Sequence, residues 1–249
     1  MRSKYKYLLL SIIIFCAYIR ATGQTINEPV ANRGFYRSYN AGSFFLHTQG
    51  IGGSYRRGWR KTGFSNHILN IELLTFKDHK EFKITYPGSQ LRGYYYGKIS
   101  SVALIRASYG GQKTIFDKEV KRGVRVSHTL LYGPTLALVK PVYVSFTSSQ
   151  GGRLKEEIVK YSTSLHSDGE VKGRAPALYK LNSTDIYPGL HIKYALNFEY
   201  SQDDAFIRAL ETGAAFDAFY KRLPIMENGF NEQFYLTAYL AFVFGKREL

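Results

Sequence analysis

The sequence predicts an all-β protein, an eight-stranded antiparallel up-and-down transmembrane β-barrel, and three observations predict it. Eight segments alternate apolar or aromatic residues with polar ones, the period-two pattern of strands. The connections between these segments alternate between short and long, as they do in barrels with short turns at one rim and long loops at the other. Finally, an export signal opens the chain, and the longest apolar run after it is seven residues, Ala238 to Phe244, too short for a spanning helix.

The first element is residues 1–23, read as a secretory signal peptide. Arg2, Lys4 and Lys6 supply the positive start, Leu8 to Ile19 the apolar stretch, and Ala21-Thr22-Gly23 the small residues of a cleavage site before Gln24. Residues 24–249 then form the barrel. Cys16, the one cysteine of the chain, leaves with the signal, so the mature protein has no disulfide and is held by its hydrogen-bonded fold. Four of the excess positive charges, Arg2, Lys4, Lys6 and Arg20, also leave, which takes the formal +15 to +11. For an exported chain this basic balance points to anionic lipid headgroups or lipopolysaccharide phosphates as partners and not to nucleic acid.

The strands are expected at 36–48, 50–59, 64–77, 94–110, 122–140, 190–202, 205–221 and 232–246. The last is the cleanest: Phe234, Leu236, Ala238, Leu240, Phe242 and Phe244 share one face, with Gln233, Tyr235, Thr237, Tyr239 and Gly245 on the other. The third sets Leu69, Ile71 and Leu73 against Asn70 and Glu72. The short connections are 60–63, 111–121 and 201–204. The other set is a tight turn near Gln49, then 78–93, 141–189 and 222–231. "YPG" at 86–88 and 187–189 and "NG" at 228–229 supply turn residues within that second set. The long extracellular loop 141–189 holds "GGRLKEEIVKYS", which reads as a short helix, and "GEVKGRAPALYK", a basic coil. A partner-specific role, such as binding another envelope protein, is expected there. Twenty-one Tyr and 17 Phe suit interfacial belts. Tyr94-Tyr95-Tyr96, Trp59 and Tyr200 fall at strand ends, as headgroup anchors do.

Arg56, Asn70, Glu72, Lys98, Arg106, Arg125, Lys193, Asn197, Glu199, Glu211 and Asp217 occupy the polar face of their strands. Alternation alone permits two readings. Either the apolar face is inside, as in a soluble lipocalin-like ligand-binding barrel, or it meets lipid and the charges pair across a lumen that side chains fill. The signal peptide, the absent disulfides, the loop asymmetry and the strand lengths favour the second, and with it a cell outer membrane location and a monomer. The charged members, Arg56, Glu72, Lys98, Arg106, Arg125, Lys193, Glu199, Glu211 and Asp217, then form a lumen charge network.

Several stretches also resemble a known family. "YPGLHIKYALNFEY", "ALETGAAFDAFYKRLPIM" and "QFYLTAYLAFVFGKREL" look like the C-terminal hairpins of Bacteroidetes-type outer-membrane β-barrel proteins. "YYYGKISSVALIRASYGGQK" and "GVRVSHTLLYGPTLALVKPVY" look like their middle strands, and "FFLHTQGIGGSYRRG" is similar to their N-terminal region. The resemblance implies an outer-membrane barrel. That family is functionally uncharacterised and offers no catalytic residues to carry over. The chain departs from the terminal aromatic common in proteobacterial barrels by ending GKREL.

Enzymatic chemistry finds little footing. "HSD" at 166–168 and Ser127-His128 hold triad residue types, but neighbours on a strand point to opposite faces and a triad is a matter of geometry. His191 falls on the lumen face beside Lys193, a structural setting. No cysteine remains for a metal, no histidine pair has ligand spacing, and no phosphate-binding loop occurs, so no cofactor is expected. The reading is a non-enzymatic structural or loop-binding module of the envelope. The alternative is a barrel enzyme acting on lipid or lipopolysaccharide acyl chains.

Overall fold

A computed structural model describes residues 36–77, 81–85, 93–118, 123–150, 153–165, 170–176, 179–227 and 231–248. The signal peptide therefore lies outside the described residues, as do the turn sequences at 86–88 and 228–229 and the HSD motif. Thirteen strands occur among the described residues: β1 (Ser38–His47), β2 (Gly50–Thr62), β3 (Ser65–Phe76), β4 (Lys83–Ile84), β5 (Tyr94–Tyr95), β6 (Ser100–Phe116), β7 (Arg125–Pro141), β8 (Tyr143–Gln150), β9 (Arg153–Lys160), β10 (Glu170–Arg174), β11 (Asp185–Glu199), β12 (Phe206–Phe219) and β13 (Phe234–Glu248).

Eight of them close into an antiparallel barrel in the order β1-β13-β12-β11-β7-β6-β3-β2. Among the eight barrel strands, each ring neighbour is the next barrel strand in the chain or joins the first to the last, which is an up-and-down barrel. The ring closes between β1 and β13, from Ser38 opposite Glu248 to His47 opposite Tyr239. Closure leaves the barrel sheet without a free edge strand.

Alternation fixes what each face sees. On β3, Ile68, Asn70, Glu72, Leu74 and Phe76 are buried while Leu69, Ile71 and Leu73 are 45, 52 and 60% exposed. On β13, Tyr235, Thr237, Tyr239, Ala241 and Val243 are buried while Leu236 is 70% exposed. The barrel is thus apolar outside and carries its charges inside, the second of the two arrangements the sequence permits. A soluble lipocalin-like barrel has the opposite polarity.

Several expectations are corrected. The fourth barrel strand is β6, which begins at Ser100 and runs through Gly110 and Gly111 to Phe116, six residues beyond the expected end. A Cβ on Gly110 would lie 2.0 Å from the Leu130 carbonyl oxygen, so the glycine permits a close strand approach and does not mark a turn. Tyr94 and Tyr95 belong instead to a separate two-stranded sheet with β4. There Tyr94 is buried among loop side chains and is not a headgroup anchor. Tyr187-Pro188-Gly189 is part of β11, because the ladder with β7 continues up to Asp185 opposite Val139.

The segment 153–160 is a strand, not a helix: β9 pairs with β8 from Tyr143–Lys160 to Gln150–Arg153. The basic stretch after it supplies β10 on the other side of β8. Strand partners override the helix preference of its Lys and Glu residues. This three-stranded sheet stands on the long-loop rim. Tyr94, Val142, Val144, Phe146, Tyr161 and Val171 form its own apolar cluster. Gly97 N–H donates to the Tyr161 hydroxyl at 2.9 Å, and Glu227 accepts from the Ser162 hydroxyl and the Thr163 amide at 2.9 and 2.5 Å, tying loops together.

Candidate functional site

The lumen is built in three layers. At the long-loop end Phe45, Leu74, Phe76, Leu104, Phe219 and Leu223 belong to an apolar cluster that fills the bore. Phe76 and Phe219 both meet Tyr235 edge-on, at ring centroid separations of 4.8 and 6.0 Å.

The middle layer is a continuous ion-pair chain drawn from five strands. Arg56 on β2 grips Glu211 on β12 with two bonds, Nη1 to Oε2 at 2.6 Å and Nη2 to Oε1 at 2.9 Å. The Tyr239 hydroxyl and the Asn197 amide donate to the same carboxylate at 2.9 and 3.3 Å. Lys193 on β11 lies 3.6 Å from Glu211 Oε1 and 2.5 Å from Glu72 Oε1, with its ammonium 4.2 Å from the Tyr239 ring centre. Glu72 on β3 also accepts from Asn70 at 2.9 Å and from Arg106 Nη1 at 3.2 Å. Arg106 on β6 then grips Asp217, Nε to Oδ1 at 2.9 Å and Nη2 to Oδ2 at 2.5 Å. Three cations meet three carboxylates, each residue being at most 3% exposed. Shared charge and bidentate geometry are what make such burial tolerable.

The third layer closes the short-loop mouth around Glu199. Arg247 Nη2, Lys118 Nζ and Arg125 Nη1 approach it at 2.6, 3.3 and 3.6 Å. Arg125 Nε also bonds Asp117 at 2.7 Å. Between this cluster and the middle layer lies a cavity of about 300 Å³ whose lining includes Tyr39, Arg56, Arg125, Asn197, Glu199 and Arg247.

The network expected from the sequence is therefore two clusters and one outlier. Arg56, Glu72, Arg106, Lys193, Glu211 and Asp217 come together, Arg125 and Glu199 form the mouth, and Lys98 belongs to neither. Lys98 precedes β6, bridges to Met226 and pairs with Glu81 at the long-loop rim. Burial pulls its ammonium below its ordinary value even against that carboxylate. The misplacement follows from the shifted start of β6, which leaves Lys98 outside the barrel. Lys118, Arg247 and the hydroxyl of Tyr239 were missed as network members. Extending the β13 alternation one step past Gly245 finds Arg247. Lys118 carries no such signal, because it follows the end of β6 and folds back into the mouth, where it is 5% exposed.

The described histidines do not assemble catalytic pairs. His67 stacks on Tyr109 at 5.7 Å, with the Tyr109 hydroxyl 2.9 Å from Nδ1. His128 packs near Tyr194. His47 and His191 are in the lumen, and His47 Nδ1 accepts from the Gln49 amide at 3.3 Å. No described histidine has a serine hydroxyl as partner.

No family profile matches the chain, and no curated protein matches it. Among solved structures, Neisserial surface protein A is 7% identical with a TM-score of 0.44, covering 85% of this chain and 96% of that one. The attachment invasion locus protein Ail of Yersinia pestis, solved with the heparin analogue sucrose octasulfate, is 9% identical with a TM-score of 0.38 over 85% and 96%. The N-terminal β-barrel domain of Pseudomonas aeruginosa OprF is 9% identical with a TM-score of 0.37 over 84% and 98%. The barrel assignment itself rests on the closed ladder described above.

Proposed function

We propose that this chain is an integral outer-membrane protein, exported by residues 1–23, whose sealed barrel is a non-enzymatic scaffold presenting the β8–β10 sheet outside the cell. One observation carries the reading: the barrel exterior is an apolar belt around a lumen whose buried charges are paired with one another. On β3 the outward series runs from His67 through Leu69, Ile71, Leu73 and Thr75 to Lys77, whose amide still bonds Gln49 across the ladder. The ten steps from His67 to Lys77, at about 3.3 Å each and tilted by about 40°, set these polar bounds about 25 Å apart, a separation that accommodates the apolar band of outer-membrane barrels.

Polar belts bracket that band. Arg57 and Lys246 both pair with Asn40 in the ladders, on opposite sides of β1, and Trp59 lies one outward step beyond Arg57. Tyr55, Tyr109 and Tyr194 are exposed on the outside as well. Amphipathic rings and basic side chains on the outer face suit a headgroup region. A soluble barrel has no use for such a belt, because an exposed apolar surface of that size aggregates in water.

The short loops then face the periplasm and the long ones the exterior. The apolar plug at the long-loop end and the ion-pair layer below it argue against a pore and support a role for the outer sheet and the surface. The sequence motifs that resemble Bacteroidetes-type barrels fit this reading. Heat-modifiability tests it: the refolded protein should need detergent or lipid to fold and should migrate differently on a gel until boiled. A β-rich monomer that folds in plain buffer would overturn it.

A further inference from the structure

The short-loop half of the bore has two chemically different walls. Tyr39 and Ala41 on β1, Val243 on β13 and Ile207 on β12 belong to one buried apolar cluster, and all four line the cavity of about 300 Å³. Those three strands are consecutive in the ring. Asn66 on β3, Gln112 on β6 and Ser127 on β7 line the cavity from strands that are consecutive on the opposite side. β2 and β11 separate the two walls, and each sets a polar side chain at its seam: Arg56 and Asn197, which both hold the Glu211 carboxylate. The Tyr39 hydroxyl crosses from one wall to the other and donates to Gln112 at 3.2 Å.

The ion pair of Arg56 accounts for only part of its guanidinium. Nη1 and Nη2 meet Glu211 end-on. A guanidinium has a second, side edge, made by Nε–H and the outer Nη2–H. Arg106, the other arginine of the middle layer, uses that edge: its Nε and Nη2 grip Asp217 while Nη1 reaches Glu72. Arg56 is equally buried, yet its Nε has no hydrogen-bond partner. A buried donor left without an acceptor costs free energy, and native structures supply the acceptor beside it. The planar fork of that side edge matches a carboxylate.

We infer that this cavity binds a small organic acid, with its carboxylate on the side edge of Arg56 and its apolar body against Ala41, Ile207 and Val243. Asn66, Gln112 and Ser127 then meet the polar groups on the acid's other side. A volume of about 300 Å³ holds about ten water-sized groups, which suits an aromatic or branched short-chain acid and lies at the lower end of ligand pockets. Arg37 and Phe64, both exposed, line the outer part, so the acid enters from the short-loop rim. The lining acids Asp117, Glu199 and Asp204 all neighbour Arg125 there, which offsets their charge. The site requires the folded barrel and adds a ligand to the scaffold reading without depending on the lipid around it.

The test titrates the full mature barrel, refolded in maltoside micelles, with benzoate by calorimetry. Saturable binding at about 1 mM or tighter is expected. Arg56→Lys keeps a cation for Glu211 but removes the side edge, and should weaken binding by about 10- to 100-fold. Val243→Phe fills the cavity from its apolar wall and should abolish binding. Benzamide, a neutral molecule of the same shape, and inorganic phosphate, an anion with no apolar body, should each bind at least about tenfold more weakly. Circular dichroism on the same samples reports folding, and Val243→Phe carries the test alone if Arg56→Lys does not fold. A folded barrel that takes up no benzoate would overturn the site. Undiminished binding in Val243→Phe would put the benzoate in the micelle and overturn it too. Benzamide binding as tightly as benzoate would overturn the role of Arg56, and phosphate binding as tightly would overturn the organic acid as ligand. A protein that folds in plain buffer and binds benzoate would refute the membrane reading and keep this site. One that needs detergent to fold and binds no acid would do the reverse.

Discussion

Glu72 is the hub of the middle layer, and replacing it by glutamine isolates charge from shape. Glutamine keeps the side-chain length and one acceptor oxygen for Lys193 and Asn70. What changes is the charge: three cations then face two carboxylates, Glu211 and Asp217, inside a wall where Glu72 is 0% exposed. Arg106 retains Asp217 through two bonds, so the uncompensated charge falls on Lys193, whose other carboxylate contact is 3.6 Å away. Leaving one partner of a buried pair uncompensated costs about 3–5 kcal/mol. The double variant E72Q/K193M restores neutrality and should recover about 2 kcal/mol of that loss, a coupling of the size seen for side chains in one network. The assay is urea unfolding in lipid vesicles followed through Trp59, the sole tryptophan, on the outer face of β2. A single variant that costs nothing, or a double variant whose cost is the plain sum of the singles, would refute the view that the lumen is held by mutual charge compensation.

Further outcomes are expected elsewhere. Ile71→Arg, at mid-band on β3, should cost about 2–4 kcal/mol in the same vesicle assay, because arginine at the bilayer midplane is penalised by that amount. Gly58→Ala should cost about 1–3 kcal/mol by overpacking. Its Cβ would fall 2.1 Å from Tyr39 Cε1 and displace the ring whose hydroxyl donates to Gln112 at 3.2 Å. Glu227 clasps the loop at Ser162 and Thr163. Burial works against its carboxylate, but the Thr163 amide and Ser162 hydroxyl outweigh it and hold the group below its ordinary 4.5. Its folded value is thus the lower one, so the clasp is fully stabilising above pH 4.5 and is lost as pH falls through the folded value. Amide exchange of residues 161–165 should accelerate over that acid range in the wild type and stay fast throughout in Glu227→Gln.

Much of the barrel was legible because its strands obey one rule without interruption. β3 and β13 alternate so strictly that both their existence and their facing could be read, and the polar phase delivered six of the central charges directly. The reading slipped where a strand contains residues that usually end one. Gly110 and Gly111 sit inside β6, and Pro188 and Gly189 inside β11, because the neighbouring strands continue and pair with them. The shift of β6 then carried Lys98 out of the barrel and Tyr94 into a loop core. The β8–β10 sheet was illegible for a different reason. Each of its strands gains its state only from its partners, and "LKEEIVK" alone favours a helix. Lys118 was hidden because a turn residue reaches the mouth only through the path of its loop. Across strands, alternation says which face a residue takes but not which carboxylate it meets, so the Arg56–Glu211 and Arg106–Asp217 partnerships became visible only once the register was known.

The central claim is that the apolar face meets lipid. Single cysteines placed along β13 at positions 236 to 242, spin-labelled and reconstituted in vesicles, test it by collision with oxygen and with a water-soluble nickel chelate. Lipid-facing labels meet oxygen, and sealed-lumen labels meet neither. The account predicts oxygen maxima at Leu236, Ala238, Leu240 and Phe242, with minima for both reagents at Thr237, Tyr239 and Ala241. Nickel maxima at the four outward positions would contradict it, because the apolar belt would then face water.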